Sequence, residues 1–244
     1  MSAGACEEVP VSFRSVGIVG AGAWGTALAQ TLRLAGRETV IWAREAEVVE
    51  DINLRHANSA FLPGVPLDSG VRATQALTDV AAADVVLMVA PAQHCSAVGA
   101  ALAAQWQHGK PLVICAKGLE QATGRLLVNI FTEVLPHAPL AVLSGPSFAA
   151  DVARGLPAAL TLACHDEALG AELVAALGYR QFRLYRSTDM IGVQLCGAVK
   201  NVLAIAAGIV EGRALGASAH AALVTRGLPS CAASARRWGR GRRH

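Results

Sequence analysis

Residues 16–32 read VGIVGAGAWGTALAQTL, and this stretch constrains the fold more than any other part of the chain. A β-branched run leads into Gly20, Gly22 and Gly25, and an alanine- and leucine-rich helical pattern leads away. With a second apolar run at Thr39–Trp42, the unit is strand, glycine turn, helix, strand. In such a unit Gly20 permits the tight turn, Gly22 admits a diphosphate against the backbone, and Gly25 lets the helix lie close on the strand. The helix N-terminus offers free amides and a partial positive charge to the phosphates. The stretch predicts a dinucleotide site and, with it, a parallel sheet.

The rest of the chain keeps that rhythm. Further strands are expected at Val85–Val89, Leu112–Cys115 and Leu140–Leu143, with helices around Thr26–Leu34, Glu45–His56, His94–Gln105 and Arg125–Leu135. Near-continuous apolar strands separated by helices belong to a sheet covered on both faces. A weaker unit follows: Ala158–Ala163 as strand, Glu167–Leu177 as helix, Phe182–Tyr185 as strand. From Asp189, a candidate N-cap, Ile191, Leu195, Val199, Val202 and Ile209 keep helical spacing with no strand after them. The expected class is α/β, a Rossmann-like doubly wound and mainly parallel sheet followed by the start of an all-helical second domain. The expected domains are 1–187 for the dinucleotide, 188–227 for a partial helical substrate and catalytic domain, and 228–244 for a basic tail.

Composition narrows the function. Apolar residues make up 53% of the chain and aromatics only 5%, which suits close helix-on-sheet layers and argues against a nucleic-acid stacking platform. The net charge of +3 includes Arg236, Arg237, Arg240, Arg242 and Arg243, and without those five the balance is −2. Cys6, Cys95, Cys115, Cys164, Cys196 and Cys231 form no CxxC pair or metal-like cluster, so they read as small buried hydrophobes of a reducing cytosol, and no metal site is expected. The mean hydropathy of +0.42 raises the question of a membrane span. The apolar stretches around Gly20–Gly25 and Pro91–His94 are broken by glycine, proline and polar residues, so no span is expected.

Three further segments carry chemistry. At the end of the second strand, VIWAREAE places Arg44 22 positions after Gly22 with no acid before Glu45. A guanidinium there suits a ribose 2′-phosphate, which favours NADP over NAD; the other reading of Arg44 is an exposed residue at a helix start. CAKGLEQATG puts Lys117 just past one strand, and LSGPSFAADVARGLP puts Gly145, Pro146 and Ser147 past another. In open α/β sheets ligands gather outside the carboxyl ends of strands. Last, CGAVKNVLAIAAG sets Lys200 and Asn201 in the middle of an apolar helix. An ammonium on an apolar segment is costly to desolvate unless something pairs with it, so Lys200 calls for a partner or a role.

GAGAWGTALA, NLRHANSAFLPGVPL, AKGLEQATGRLL, LSGPSFAADVARGLP, DMIGVQLCGAVKNVLAIAAGIVEG and AALVTRG together resemble the bacterial NAD(P)-dependent glycerol-3-phosphate dehydrogenase family, in order from about Val16 to Gly227. The resemblance implies reversible reduction of dihydroxyacetone phosphate to sn-glycerol 3-phosphate for phospholipid backbones, by a cytoplasmic homodimer. It implies that Gly20, Gly22, Ala23, Trp24, Gly25, Arg44, Lys117 and Ala149 contact the cofactor. It implies Lys117, Gly145, Ser147 and Lys200 as substrate contacts, with Lys200 the proton-transferring residue and Asn201 beside it. Ala23 and Ser218 depart from the family, which usually has Ser, Thr or Gly at position 23 and Asn at 218.

After Gly227 the text LPSCAASARRWGRGRRH lacks the acid and the serine-arginine-asparagine run with which the family continues. The expectation is a truncated or frame-shifted form. The competing functional reading is therefore a catalytically impaired dinucleotide-binding remnant, or a binding module acting through its basic tail.

Overall fold

The computed structural model describes residues 12–227, so Cys6, Cys231 and the basic segment 228–244 lie outside the described residues. Eight strands form one sheet: β1 Ser15–Val19, β2 Glu38–Trp42, β3 Val71–Thr74, β4 Val85–Met88, β5 Leu112–Ile114, β6 Leu140–Ser144, β7 Ala158–Cys164 and β8 Phe182–Ser187. Their spatial order is β3-β2-β1-β4-β5-β6-β7-β8. All neighbours pair in parallel except β6 and β7, which run antiparallel with Ser144 opposite Thr161. The chain works outward from β1 to β3, then returns to lay β4 on the other side of β1. That reversal opens a crevice at the carboxyl ends of β1 and β4.

Helices cover both faces: α1 Ala23–Leu34, α2 Ala46–Arg55, α3 Leu77–Ala81, α4 Cys95–Ala103, α5 Leu127–Val134, α6 Ala149–Ala153 and α7 Glu167–Leu177. One core includes Ile18, Leu28, Ile41 and Leu87, and the other includes Val19, Met88, Ile114 and Phe131. The alternation of inward side chains along β1 sends Ile18 to one face and Val19 to the other, which is why such strands read as unbroken apolar runs.

The final long element, α8 Met190–Gly212, starts where Asp189 caps it, accepting a 2.7 Å hydrogen bond from the Gly192 amide. Its first part seats on the sheet: Met190, Leu195 and Gly197 are buried. A Cβ on Gly197 would stand 2.5 Å from the Ser144 hydroxyl, so any larger residue must turn that hydroxyl aside or lift α8 from β6. Residues 217–227 form a further helix.

Three expectations need correction or extension. β3, α3 and α6 were not anticipated, being four or five residues long with little periodicity to read. Of the described cysteines, Cys95, Cys115 and Cys164 are buried, but Cys196 is exposed because it lies on the open side of α8. Finally, α8 is long and apolar enough, by length and composition, to cross a membrane, although the reading against a span considered only earlier stretches. Lys200 stands at its middle.

Candidate functional site

The site begins at the glycine loop. Gly20 has φ +114°, and a Cβ there would meet the Ala90 amide nitrogen at 2.9 Å, so the turn runs tight against the loop after β4. A Cβ on Gly25 would lie 1.8 Å from the Gly20 carbonyl oxygen, which leaves no room for any other residue. Gly22 is the opposite case, with nothing within 4 Å of the same construction. It is the N-cap of α1, and no side chain caps that end. The first turn of α1 thus faces open space with its amides available.

A second segment supports this loop. Asn58 is buried, and its side-chain amide donates 2.8 Å hydrogen bonds to the Ala21 carbonyl and to Thr26 Oγ1. Its Oδ1 accepts from the Phe61 amide at 3.1 Å. Sequence reasoning did not single out Asn58, although it lies within NLRHANSAFLPG; a lone asparagine beside apolar residues is the signal that could have found it, because a buried amide needs partners.

Arg44 is exposed just past β2, and its guanidinium holds Glu45 Oε1 at 2.9 and 3.1 Å. Glu45, the first acid after the second strand as the sequence showed, is the N-cap residue of α2 and shares the strand end. Ala23 and Ala149 are half-buried and pack with Trp24 around Ala27, Leu62, Val65 and Ala153.

The cavity lies beside this crevice. It has a volume of about 780 Å³ and is lined by Ser144, Gly145, Ser147, Thr161, Cys196 and Lys200, among others. Strand β6 ends at Ser144 and delivers the Gly145–Ser147 turn to the rim. A Cβ on Gly145 would meet Leu160 Cα at 2.9 Å, and Ser147 Oγ donates to the Gly145 carbonyl at 3.3 Å. Thr161 enters because β7 runs antiparallel and pairs there with Ser144. Lys200 reaches the cavity because Gly197, one turn earlier, lets α8 approach. Asn201 is exposed and does not line the cavity.

Lys117 follows β5 and is half-buried. Burial comes first among the causes that push its ammonium down to about 8, and direct interaction with Lys200 adds to it. Lys200, the residue expected to transfer the proton, stands against it, so burial and a like charge act on Lys117 together. Its Nζ also sits 5.7 Å from the centre of the Trp24 ring. The fold has therefore brought Lys117, Lys200, Trp24 and the Gly145–Ser147 rim to the carboxyl edge of the sheet. Among the described residues no His, Cys, Asp or Glu cluster could hold a metal ion. Two cations beside an apolar and hydroxyl-bearing cavity suit an anionic oxygenated ligand and proton transfer to oxygen.

A family model described as the NAD-dependent glycerol-3-phosphate dehydrogenase N-terminus matches residues 15–170, and the corresponding C-terminus model matches residues 189–242, a range that continues past Gly227. A relative from Paramagnetospirillum magneticum named glycerol-3-phosphate dehydrogenase [NAD(P)+] is 60% identical over 88% of this chain and 78% of its own length. Another from Parvibaculum lavamentivorans, of the same name, is 57% identical over 89% of this chain and 66% of its own. The crystal structure of glycerol-3-phosphate dehydrogenase from Coxiella burnetii superposes with a TM-score of 0.84 at 36% identity, covering 90% of this chain and 67% of that one.

Proposed function

Because the chain belongs to the NAD-dependent glycerol-3-phosphate dehydrogenase family, whose relatives are named as NAD(P)+ enzymes, we propose that this oxidoreductase interconverts dihydroxyacetone phosphate and sn-glycerol 3-phosphate with NAD(P)H. The observation that carries this reading is the meeting of Lys117 and Lys200 beside the Gly145–Ser147 rim.

The chain's own residues fit a dinucleotide. Gly22 leaves open space in front of an uncapped helix N-terminus, which is what a diphosphate requires. Gly20, Gly22, Ala23, Trp24 and Gly25 would hold it, with Ala149 beside them, and its nicotinamide supplies the hydride. Arg44 is the residue assigned to a 2′-phosphate, giving preference to NADP; Glu45, bound to it, offers an acceptor for a 2′-hydroxyl, so both nucleotides are accommodated.

Lys200 donates a proton to the C2 oxygen as negative charge develops there, and Lys117, its direct neighbour, restores that proton. Lys117 also lies between the nucleotide loop and the cavity, where its cation serves both ligands. The Gly145–Ser147 turn receives the phosphate through backbone amides and the Ser147 hydroxyl, and Asn201 keeps its assigned place beside Lys200. The same reading assigns residues 1–187 to the nucleotide domain and those after it to the substrate side. It also makes the enzyme a cytoplasmic homodimer without a membrane span, working in phospholipid synthesis.

Steady-state NADPH oxidation with dihydroxyacetone phosphate tests the proposal. Lys200→Ala is expected to lower turnover by about 10² or more with NADPH affinity nearly unchanged. Lys117 must carry its proton to resupply Lys200, so the reduction rate should fall as pH rises through about 8, while the reverse oxidation falls as pH drops below it. Equal loss of nucleotide affinity in Lys200→Ala would make that residue structural. A second reading, a dinucleotide-binding unit with weak turnover, draws on the outer half of α8, where Val202, Ile205 and Ile209 are exposed among the described residues. Measurable NADPH binding without reduction would favour it.

A further inference from the structure

The chain holds three lysines in all, Lys110, Lys117 and Lys200, against eighteen arginines. Lys110 is buried against the Ala81 carbonyl, beside Asp84. Lys117 has the harder position. Burial and Lys200 both oppose its charge. The titratable groups that face it are Lys200 from α8 and the thiol of Cys115 at the end of β5. Among the described residues, no carboxylate forms an ion pair with it. Two neighbours favour the cation: Cys115, the smallest of the influences on it, and the π face of Trp24, at 5.7 Å.

Trp24 is itself tightly held. It sits in the first turn of α1, inside the glycine loop, and packs against Leu62, Val65 and Ala153. Its indole Nε1 is buried and, among the described residues, has no hydrogen-bond partner. A buried N–H without a partner is costly, and a phenylalanine would fill much of the same space without that cost. What the indole adds is the most electron-rich ring face among the side chains. We propose that Trp24 is a positioning residue: the face of its indole holds the Lys117 ammonium, as a cation, at the junction of the glycine loop and the cavity. The nucleotide loop and the substrate cavity then share one charge, and displacement of either changes the other. The consequence for turnover rests on the reading of the site given above; the electrostatic contact does not.

Labelling lysine at the ε-carbon with ¹³C gives three side-chain resonances, assigned by single Lys→Arg variants, whose shifts follow the charge of each amine. The Lys117 midpoint is read in the wild type, in Trp24→Phe and in Trp24→Leu, with the Lys110 resonance reporting that the sheet is folded. Removing the ring in Trp24→Leu should lower the midpoint by about 0.5 unit, the size of a partly exposed cation–π contact, and Trp24→Phe by less. Replacing all tryptophan by 5-fluorotryptophan, which weakens the ring face without changing its shape, should move the midpoint in the same direction by a smaller amount. In the Trp24→Phe background that replacement should do nothing. A midpoint that stays or rises in Trp24→Leu, or that is the same in Trp24→Phe and Trp24→Leu, overturns the proposal. If Trp24→Leu does not fold, the fluorotryptophan series decides, and an unmoved midpoint there overturns it. Absence of turnover in the wild type would instead remove the reading of the cleft and leave this titration as it stands.

Discussion

On the sheet, Ile18, Ile41 and Leu87 are fully buried; on the outer half of α8, Val202, Ile205 and Ile209 are 63%, 67% and 56% exposed. All six are branched aliphatic residues. Full burial of such a side chain is worth about 1.5–3 kcal/mol, and the sheet collects it while the outer part of α8 does not. The glycines repeat the contrast. Gly25 and Gly197 are pressed against a carbonyl and a hydroxyl, whereas Gly208 and Gly212 have nothing within 4 Å. The boundary between the two regimes falls inside one helix, close to Lys200. Apolar text therefore specifies a capacity for burial, and the neighbours in space decide whether it is used.

The largest test of that contrast is Gly25→Ala. Its Cβ has no space beside Gly20, so we expect about 3 kcal/mol of destabilisation and loss of NADPH binding, read by urea unfolding and fluorescence titration. Near-normal binding would show that the loop is not as tightly packed as the sheet beneath it. Next is Asn58→Leu, which leaves the Phe61 amide without its acceptor and the Ala21 carbonyl with only the Thr26 hydroxyl. The expected cost is about 2 kcal/mol, with weaker NADPH binding. Unchanged affinity would separate the clamp from the nucleotide loop.

Gly197→Ala probes the boundary itself. Pushing α8 off β6 should cost about 1–2 kcal/mol and, by shifting Lys200, lower turnover about tenfold or more while leaving NADPH affinity in place. An equal effect on affinity would mean that α8 and the loop move as one body. The smallest effect belongs to the exposed stripe. Ile205→Ser with Ile209→Ser should change stability by no more than about 0.5 kcal/mol per site, and should reduce self-association in sedimentation. A loss above about 2 kcal/mol would show that the stripe is covered in solution, and the contrast would fail at its exposed end.

Much of the sheet was legible because β-branched runs flanked by helical patterns admit few other arrangements. Strand β1 and helix α7 lie where the pattern put them, and Asp189 caps α8 as expected. The reversal of β7 was not legible, since an apolar run has no direction until it is paired. Nor were β3 and α6, too short for a period to develop. In the site, Gly20, Gly22 and Gly25 could be read because each is demanded by local backbone geometry. The meeting of Lys117 with Lys200 could not, because 83 residues separate them and only the stacking of β5, β6 and α8 brings them together. For the same reason the apolar helix around Lys200 was visible in the sequence, whereas the burial of Lys117 was not.

The Asn58 clamp also bears on the order of events during synthesis. It ties the glycine loop to a segment 37 residues further along the chain. A nascent chain that has emerged only as far as Trp42 contains the whole strand–turn–helix–strand signature, yet it holds the Ala21 carbonyl only through the 3.3 Å bond from Thr26 Oγ1. The loop takes its final shape once the stretch after α2 has docked and β4 has closed the other side of β1. Translation past about Met88 is thus the point from which a growing chain can begin to draw nucleotide from its surroundings, and any bound nucleotide would then hold the partly made sheet together while its second half is added.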